Sequence, residues 1–132
     1  MATMPPSIRS PLRARLDRVG IALSGLCAAH CVSSILVVSA LGIGSEALFP
    51  PALHEIGLLL AVIFAAAAIG WGALQHRRTG PLVIALTGLG LMGGALMVPH
   101  GAGEAVLTVI GVALVSLGHV LNLRPTQAQA RA

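Results

Sequence analysis

Long apolar segments alternate with short polar segments along this chain. The apolar segments cover residues 19–43, 55–75, 81–98 and 104–123. Each is close to the roughly 20 residues that an α-helix needs to cross the hydrocarbon core of a bilayer. The pattern therefore predicts an all-α membrane protein, with a four-helix transmembrane domain at 19–123 between a basic arm at 1–18 and a polar tail at 124–132.

The charges in the polar segments predict how the four helices are oriented. All eight arginines lie at residues 9–18, 77–78 and 124–131. The two remaining turns carry only acids, which are Glu46, Glu55 and Glu104. Because basic residues are enriched on the cytoplasmic side of membrane proteins, both termini are expected in the cytoplasm and the acidic turns outside.

The composition excludes several classes of protein. Hydrophobic residues make up 56% of the chain and charged residues 9%, which is not the composition of a water-soluble domain. One tryptophan and two phenylalanines leave little to stack on bases, so the net charge of +4 does not indicate nucleic-acid binding. The uncharged stretch from Val19 to Ser45 is much longer than the apolar core of a cleaved signal peptide. Frequent small residues in the spans predict a compact bundle in the lipid bilayer.

Both cysteines of the chain lie in the first apolar segment, with a histidine between them, as Cys27, His30 and Cys31. Positions i, i+3 and i+4 of an α-helix share one face, so the three side chains are expected to point the same way. Counted from Arg18 at about 1.5 Å per residue, they fall near the middle of the bilayer. Thiolate and imidazole suit zinc, copper(I) and mercury(II), and do not suit magnesium or calcium. The trio therefore predicts a soft-metal site within the membrane.

Histidines and acids elsewhere supply further candidate ligands. At the outer ends of the spans, His54 stands beside Glu55 and His100 stands near Glu104, where they could collect a cation. His119 lies within the fourth span. The predicted metal ligands are Cys27, His30, Cys31, His54, Glu55, His100, Glu104 and His119. His76, Met92 and Met97 are assigned to helix-end or packing roles.

Short motifs in a fixed order resemble the MerC family of four-helix inner-membrane proteins. They are Asp17-Arg18-Val19-Gly20, Ser24-Gly25-Leu26-Cys27, His30-Cys31, His54-Glu55, His76-Arg77-Arg78, Glu104-Ala105-Val106-Leu107-Thr108, and His119 with Asn122. The resemblance implies a multi-pass protein of the bacterial inner membrane, which we expect to be neither an enzyme nor a holder of a tightly bound cofactor. It also implies mercuric-ion uptake, in which a cysteine pair in the first helix receives Hg(II) and passes it inward.

The chain differs from the mercury-resistance members in two respects that bear on the ion. His30 is interposed between Cys27 and Cys31, and no further cysteine lies near the cytoplasmic side. Histidine in place of thiols favours borderline ions such as Zn(II). Mercuric ion and zinc therefore both stay open.

Three other functions fit the same residues. The protein could be a metal-sensing or accessory subunit that does not transport, and it could form a homo-oligomer. It could be a thiol redox protein, although Cys27 and Cys31 would close only a tiny disulfide loop that stabilises little. A haem-binding bundle would use His30 and His119 as axial ligands.

Overall fold

A computed structural model describes residues 6–42 and 50–124, apart from the side chains of residues 6–10, 51 and 76. Every regular element within these residues is helical. The elements are α1 (Pro6–Leu41), α2 (Pro51–Ala65), a π-helical segment (Ala66–Gly70), α3 (Trp71–His76), α4 (Gly80–Ala95) and α5 (Ala102–Leu123). Right-handed helical dihedrals at both junctions join α2, the π-helical segment and α3 into one continuous rod. The predicted four-helix, all-α fold is confirmed.

Three of the four rods are long and apolar enough to cross a membrane, namely Pro11–Leu41, Ala52–Gln75 and Ala102–Leu123. The fourth, α4, is a shorter apolar helix of 16 residues. At about 1.5 Å per residue it extends only about 24 Å, against a hydrocarbon core of about 30 Å. Large aliphatic side chains project outward from the bundle, among them Leu26 and Leu74, as expected of a surface that lipid covers. The chain is a membrane protein.

The first helix begins earlier than the sequence pattern predicts. It starts at Pro6 rather than at residue 19, so the described part of the basic arm continues α1. This extension carries Asp17 into the bundle, where its side chain is fully buried. Glu46 and the polar tail from residue 125 onward lie outside the described residues. The cytoplasmic placement of both termini stays a prediction.

The last helix is the centre of the bundle, because α5 packs along both α4 and α1. Against α4 the contact is backbone to backbone. A Cβ atom on Gly88 would lie 2.6 Å from the Gly111 carbonyl oxygen, and one on Gly111 would lie 2.8 Å from the Gly88 carbonyl oxygen. Close approach through small residues is a main source of helix association in lipid. Met92, Val112 and Val115 form the adjoining apolar core.

Candidate metal-binding sites

Three helices bring a thiol, an imidazole and a carboxylate together at the end of the bundle where α1 finishes. Cys31 comes from α1, His54 from α2 and Glu104 from the first turn of α5. The Cys31 Sγ lies 3.8 Å from His54 Nε2, and His54 Nδ1 lies 3.8 Å from a Glu104 carboxylate oxygen. Each ring nitrogen of His54 therefore faces a different partner. We call these three residues the Cys31 cluster.

Two cavities border the Cys31 cluster. One of about 210 Å³, which we call the Glu104 cavity, is also lined by His100, an exposed residue. The other is a groove of about 390 Å³ along α1 and α2, which we call the α1–α2 groove. Cys31 and His54 line both cavities. An ion could therefore reach the cluster from either side.

The predicted trio on α1 shares the α1–α2 groove, but its members differ in exposure. Cys31 is buried, Cys27 is half-buried, and His30 is exposed. All three line the groove. Glu55, the other predicted outer ligand, is exposed and is not among the residues that line either cavity. Sequence spacing predicted that the trio lies together, and all three residues line one groove. The helix packing buries only Cys31 among them.

A second polar cluster, which sequence analysis did not identify as a unit, lies towards the other end of α1. The His119 Nδ1 lies 2.7 Å from one Asp17 carboxylate oxygen, and the Asn122 side-chain amide donates to the other at 2.9 Å. Asp17 and His119 are both 0% exposed. We call Asp17, His119 and Asn122 the His119 cluster. Two features signalled it: Asp17 is the one acid among the arginines of the basic arm, and His119 and Asn122 share a face at i, i+3.

The His119 cluster is tied to the rest of the bundle by further contacts. Asn122 also donates to the Ala68 carbonyl oxygen of the π-helical segment at 3.2 Å, and π segments of this kind are frequent at functional sites. The Arg13 guanidinium donates to the Asn122 backbone carbonyl at 3.3 Å near the end of α5. Helices α3 and α5 also meet closely here, because a Cβ atom on Gly72 would overlap the Asn122 side chain. The cluster thus joins three of the four rods.

The tautomer of His119 follows from its partner. An ionised carboxylate only accepts hydrogen bonds, so Nδ1 carries the proton and a neutral ring keeps its lone pair on Nε2. Within the described residues, that buried Nε2 has no hydrogen-bond partner. His119 lines a small cavity of about 50 Å³, which we call the core cavity and which Gly20 and Cys27 also line.

Neither cluster is a complete coordination shell of protein ligands. Among the described residues, no group of three or more His, Cys, Asp or Glu side chains is arranged to hold a metal ion. The separation of Cys31 Sγ and His54 Nε2, 3.8 Å, is nevertheless close to the roughly 3.5 Å between sulfur and nitrogen in a tetrahedral zinc site. Glu104 stands where carboxylates orient metal-bound histidines in known sites.

These features define a small helical membrane protein with thiol and imidazole groups inside its bundle. A family model described as "MerC mercury resistance protein" matches residues 17–124. The chain belongs to the MerC family. Comparison with curated proteins and with solved structures finds no match. The matched segment begins at Asp17 and ends at Arg124, so it contains both polar clusters.

Proposed function

We propose that this protein binds a soft or borderline divalent metal ion inside the membrane and moves it inward. Mercuric ion is the cargo favoured by the family, and Zn(II) is the alternative favoured by the histidines. One observation carries the proposal: Cys31, His54 and Glu104 come from three different helices and meet beside two cavities. Packing alone would not require a thiol, an imidazole and a carboxylate at one point of an apolar bundle.

The chemistry of these side chains supports capture of a thiophilic cation. Binding displaces the proton of the Cys31 thiol, and the cation compensates the thiolate charge that lipid would otherwise disfavour. His54 Nε2 is the second ligand, since it already faces the sulfur. Glu104 lies 3.8 Å from the other ring nitrogen, where a carboxylate can orient a metal-bound histidine and raise its basicity.

The proposed route begins at the Glu104 cavity and continues along the α1–α2 groove. His100 lines the first cavity, and His30 lines the groove at an exposed position. The arginine distribution makes the Glu104 end the outer one. No nucleotide-binding loop occurs in the sequence, so movement would proceed by ligand exchange down a gradient.

Flux into vesicles tests the proposal. The purified protein is reconstituted into vesicles that contain a mercury indicator, and Hg(II) is added outside as its glutathione complex, whose charges keep it from crossing lipid unaided. We expect indicator signal with the wild type and little with Cys31→Ser. Ser33→Ala, at an exposed position on the same helix, is the matched control and should behave as the wild type.

The outcomes separate transport from simple binding. Metal retained by the protein without flux would overturn transport and favour the sensing or accessory role. Failure of the wild type to retain either Hg(II) or Zn(II) would overturn metal binding as well. Repeating the assay with Zn(II) and a zinc indicator identifies which ion is moved.

A further inference from the structure

Cys31 lies near His54 and Cys27 shares the core cavity with His119, and a carboxylate lies beside one ring nitrogen of each histidine. Cys31 faces His54, whose other nitrogen faces Glu104. Cys27 and His119 both line the core cavity; His119 Nδ1 is bonded to Asp17, and its Nε2 is buried without a hydrogen-bond partner among the described residues. The two arrangements use the same three chemical groups in the same order.

We propose that Cys27 and His119 form a second metal station, distinct from the station formed by Cys31 and His54. The two thiols then hold the ion in succession and do not act as one chelating pair. This inference rests on the proposed function, because it assumes that the first station binds metal. Asp17 and Asn122 are positioning residues that fix His119.

His119 has the features of a preset ligand. It is fully buried, and the bond from Nδ1 to Asp17 fixes both the ring and its tautomer. Its remaining nitrogen, which carries a lone pair when the ring is neutral, has no hydrogen-bond partner among the described residues. An unsatisfied buried polar atom costs stability, and an ion bound at Nε2 would remove that cost.

The core cavity suits a bare ion. Its volume of about 50 Å³ exceeds the roughly 10–15 Å³ that one water molecule requires. Besides Cys27 and His119, it is lined by Met92, whose thioether is a soft ligand, and by Ser24, whose side chain is buried. Thiolate, imidazole and thioether donors select soft ions over magnesium and calcium.

A transfer between the two stations is short. Cys27 and Cys31 are one helical turn apart on α1, about 6 Å along the axis. Both line the α1–α2 groove, while only Cys27 also lines the core cavity. Cys27 is therefore the residue shared by the groove and the core, and it can receive the ion from Cys31 and present it to His119.

Single-cysteine variants test whether each thiol works with its own histidine. Hg(II) affinity is measured on purified protein in detergent by competition with glutathione, which removes weakly held ions. In Cys31→Ser, which keeps Cys27, adding His119→Gln should weaken binding about 10- to 100-fold, while adding His54→Gln should have little effect. In Cys27→Ser, which keeps Cys31, adding His54→Gln should weaken binding about 10- to 100-fold, while adding His119→Gln should have little effect. The range is that for disturbing the environment of metal ligands.

A substitution that blocks His119 without removing it provides an independent test. A methyl group on Gly20 would overlap His119 Nε2, whereas one on Gly25 of the same helix would meet nothing within 4 Å. In the Cys31→Ser background, Gly20→Ala should weaken Hg(II) binding about tenfold and Gly25→Ala should not. The ¹⁵N resonance of His119 Nε2 should shift on Hg(II) addition only in the Gly25→Ala protein.

The results distinguish failure of this inference from failure of the proposed function. A wild type that loses all Hg(II) to glutathione would overturn both. If the wild type retains the ion but both histidine variants act equally in both cysteine backgrounds, the two cysteines form one site and the second station is wrong. An unchanged His119 resonance in the Hg(II)-loaded Gly25→Ala protein would also overturn it. Helical circular dichroism of each variant confirms that the comparison is made on folded protein.

Discussion

The Cys31 cluster and the His119 cluster each contain a histidine beside a carboxylate, but the distance between the two groups is longer in the Cys31 cluster. In the first, the histidine lies 3.8 Å from its carboxylate, beyond hydrogen-bond distance. In the second the corresponding distance is 2.7 Å, and a further amide bonds the same carboxylate. His54 borders two cavities of about 210 and 390 Å³, whereas His119 borders one of about 50 Å³. The loose cluster is accessible and the tight one is enclosed.

This difference indicates that the two clusters have different roles. His54 lies 3.8 Å from its carboxylate and borders two large cavities, which suits capture and release of an ion. The hydrogen bond to buried Asp17 fixes the His119 ring, and the same bond joins α1 to α5. Breaking a fully buried, hydrogen-bonded network is costly, because each remaining partner is left unsatisfied in a medium of low dielectric constant. Stability should therefore depend more on the His119 cluster than on the Cys31 cluster.

Removing the carboxylate of each cluster gives the largest expected contrast. Asp17→Ala should lower the free energy of unfolding by about 3–5 kcal/mol, because it leaves His119 Nδ1 buried without an acceptor and removes one of the two bonds that the Asn122 amide donates. Glu104→Ala should lower it by less than about 1 kcal/mol, since the lost contact is longer than a hydrogen bond. Denaturant titration in detergent, followed by circular dichroism, measures both. Equal losses would show that the clusters do not differ in their structural role.

Two glycines on the rod formed by α2, the π-helical segment and α3 make the same comparison sterically. A methyl group on Gly72 would overlap the Asn122 side chain, so Gly72→Ala should cost about 1–3 kcal/mol. A methyl group on Gly57 would lie 3.7 Å from Cys27 Sγ, an ordinary contact. Gly57→Ala should therefore be neutral or stabilise by up to about 1 kcal/mol through helix propensity. A destabilised Gly57→Ala protein would indicate that the groove is packed as tightly as the His119 cluster.

The sequence predicted the fold well because the bilayer imposes a simple length and polarity pattern. It predicted the spans around Cys27, His54 and His119 from runs of apolar residues alone, and all three lie in helices. It did not predict that α1 begins at Pro6, since the charged residues before Val19 have the composition of a segment outside the membrane. Burial of Asp17 depends on a partner more than 100 positions away along the chain.

The sequence predicted the candidate site only in part, because the site also depends on contacts between residues that are distant along the chain. Spacing on one helix correctly put Cys27, His30 and Cys31 beside one groove. Whether Glu55 or Glu104 approaches His54 depends on how α2 and α5 pack, and the structure places Glu104 there. Local sequence contains no information on such distant pairs. Whether these residues bind metal stays a prediction.

Those two acids provide the third test of the comparison. Glu104→Gln removes the charge that faces His54 and should weaken Hg(II) binding about tenfold, in the range measured for residues that orient metal ligands. Glu55→Gln, at an exposed position one residue from His54, should leave affinity unchanged. Glutathione competition on purified protein measures both. A larger loss of Hg(II) affinity for Glu55→Gln than for Glu104→Gln would indicate that Glu55 is the outer ligand.

The smallest expected effect distinguishes a helix-face site from a site built between helices. His30 is the residue that sequence spacing most strongly joins to the two cysteines, yet its side chain is exposed while Cys31 is buried. His30→Gln should therefore weaken Hg(II) binding by no more than about threefold, equivalent to about 0.7 kcal/mol, whereas His54→Gln should exceed that limit. The same competition assay compares the two variants. If His30→Gln proves the more damaging, the ion is held by one face of α1, and the meeting of α1, α2 and α5 at Cys31 is not the binding site.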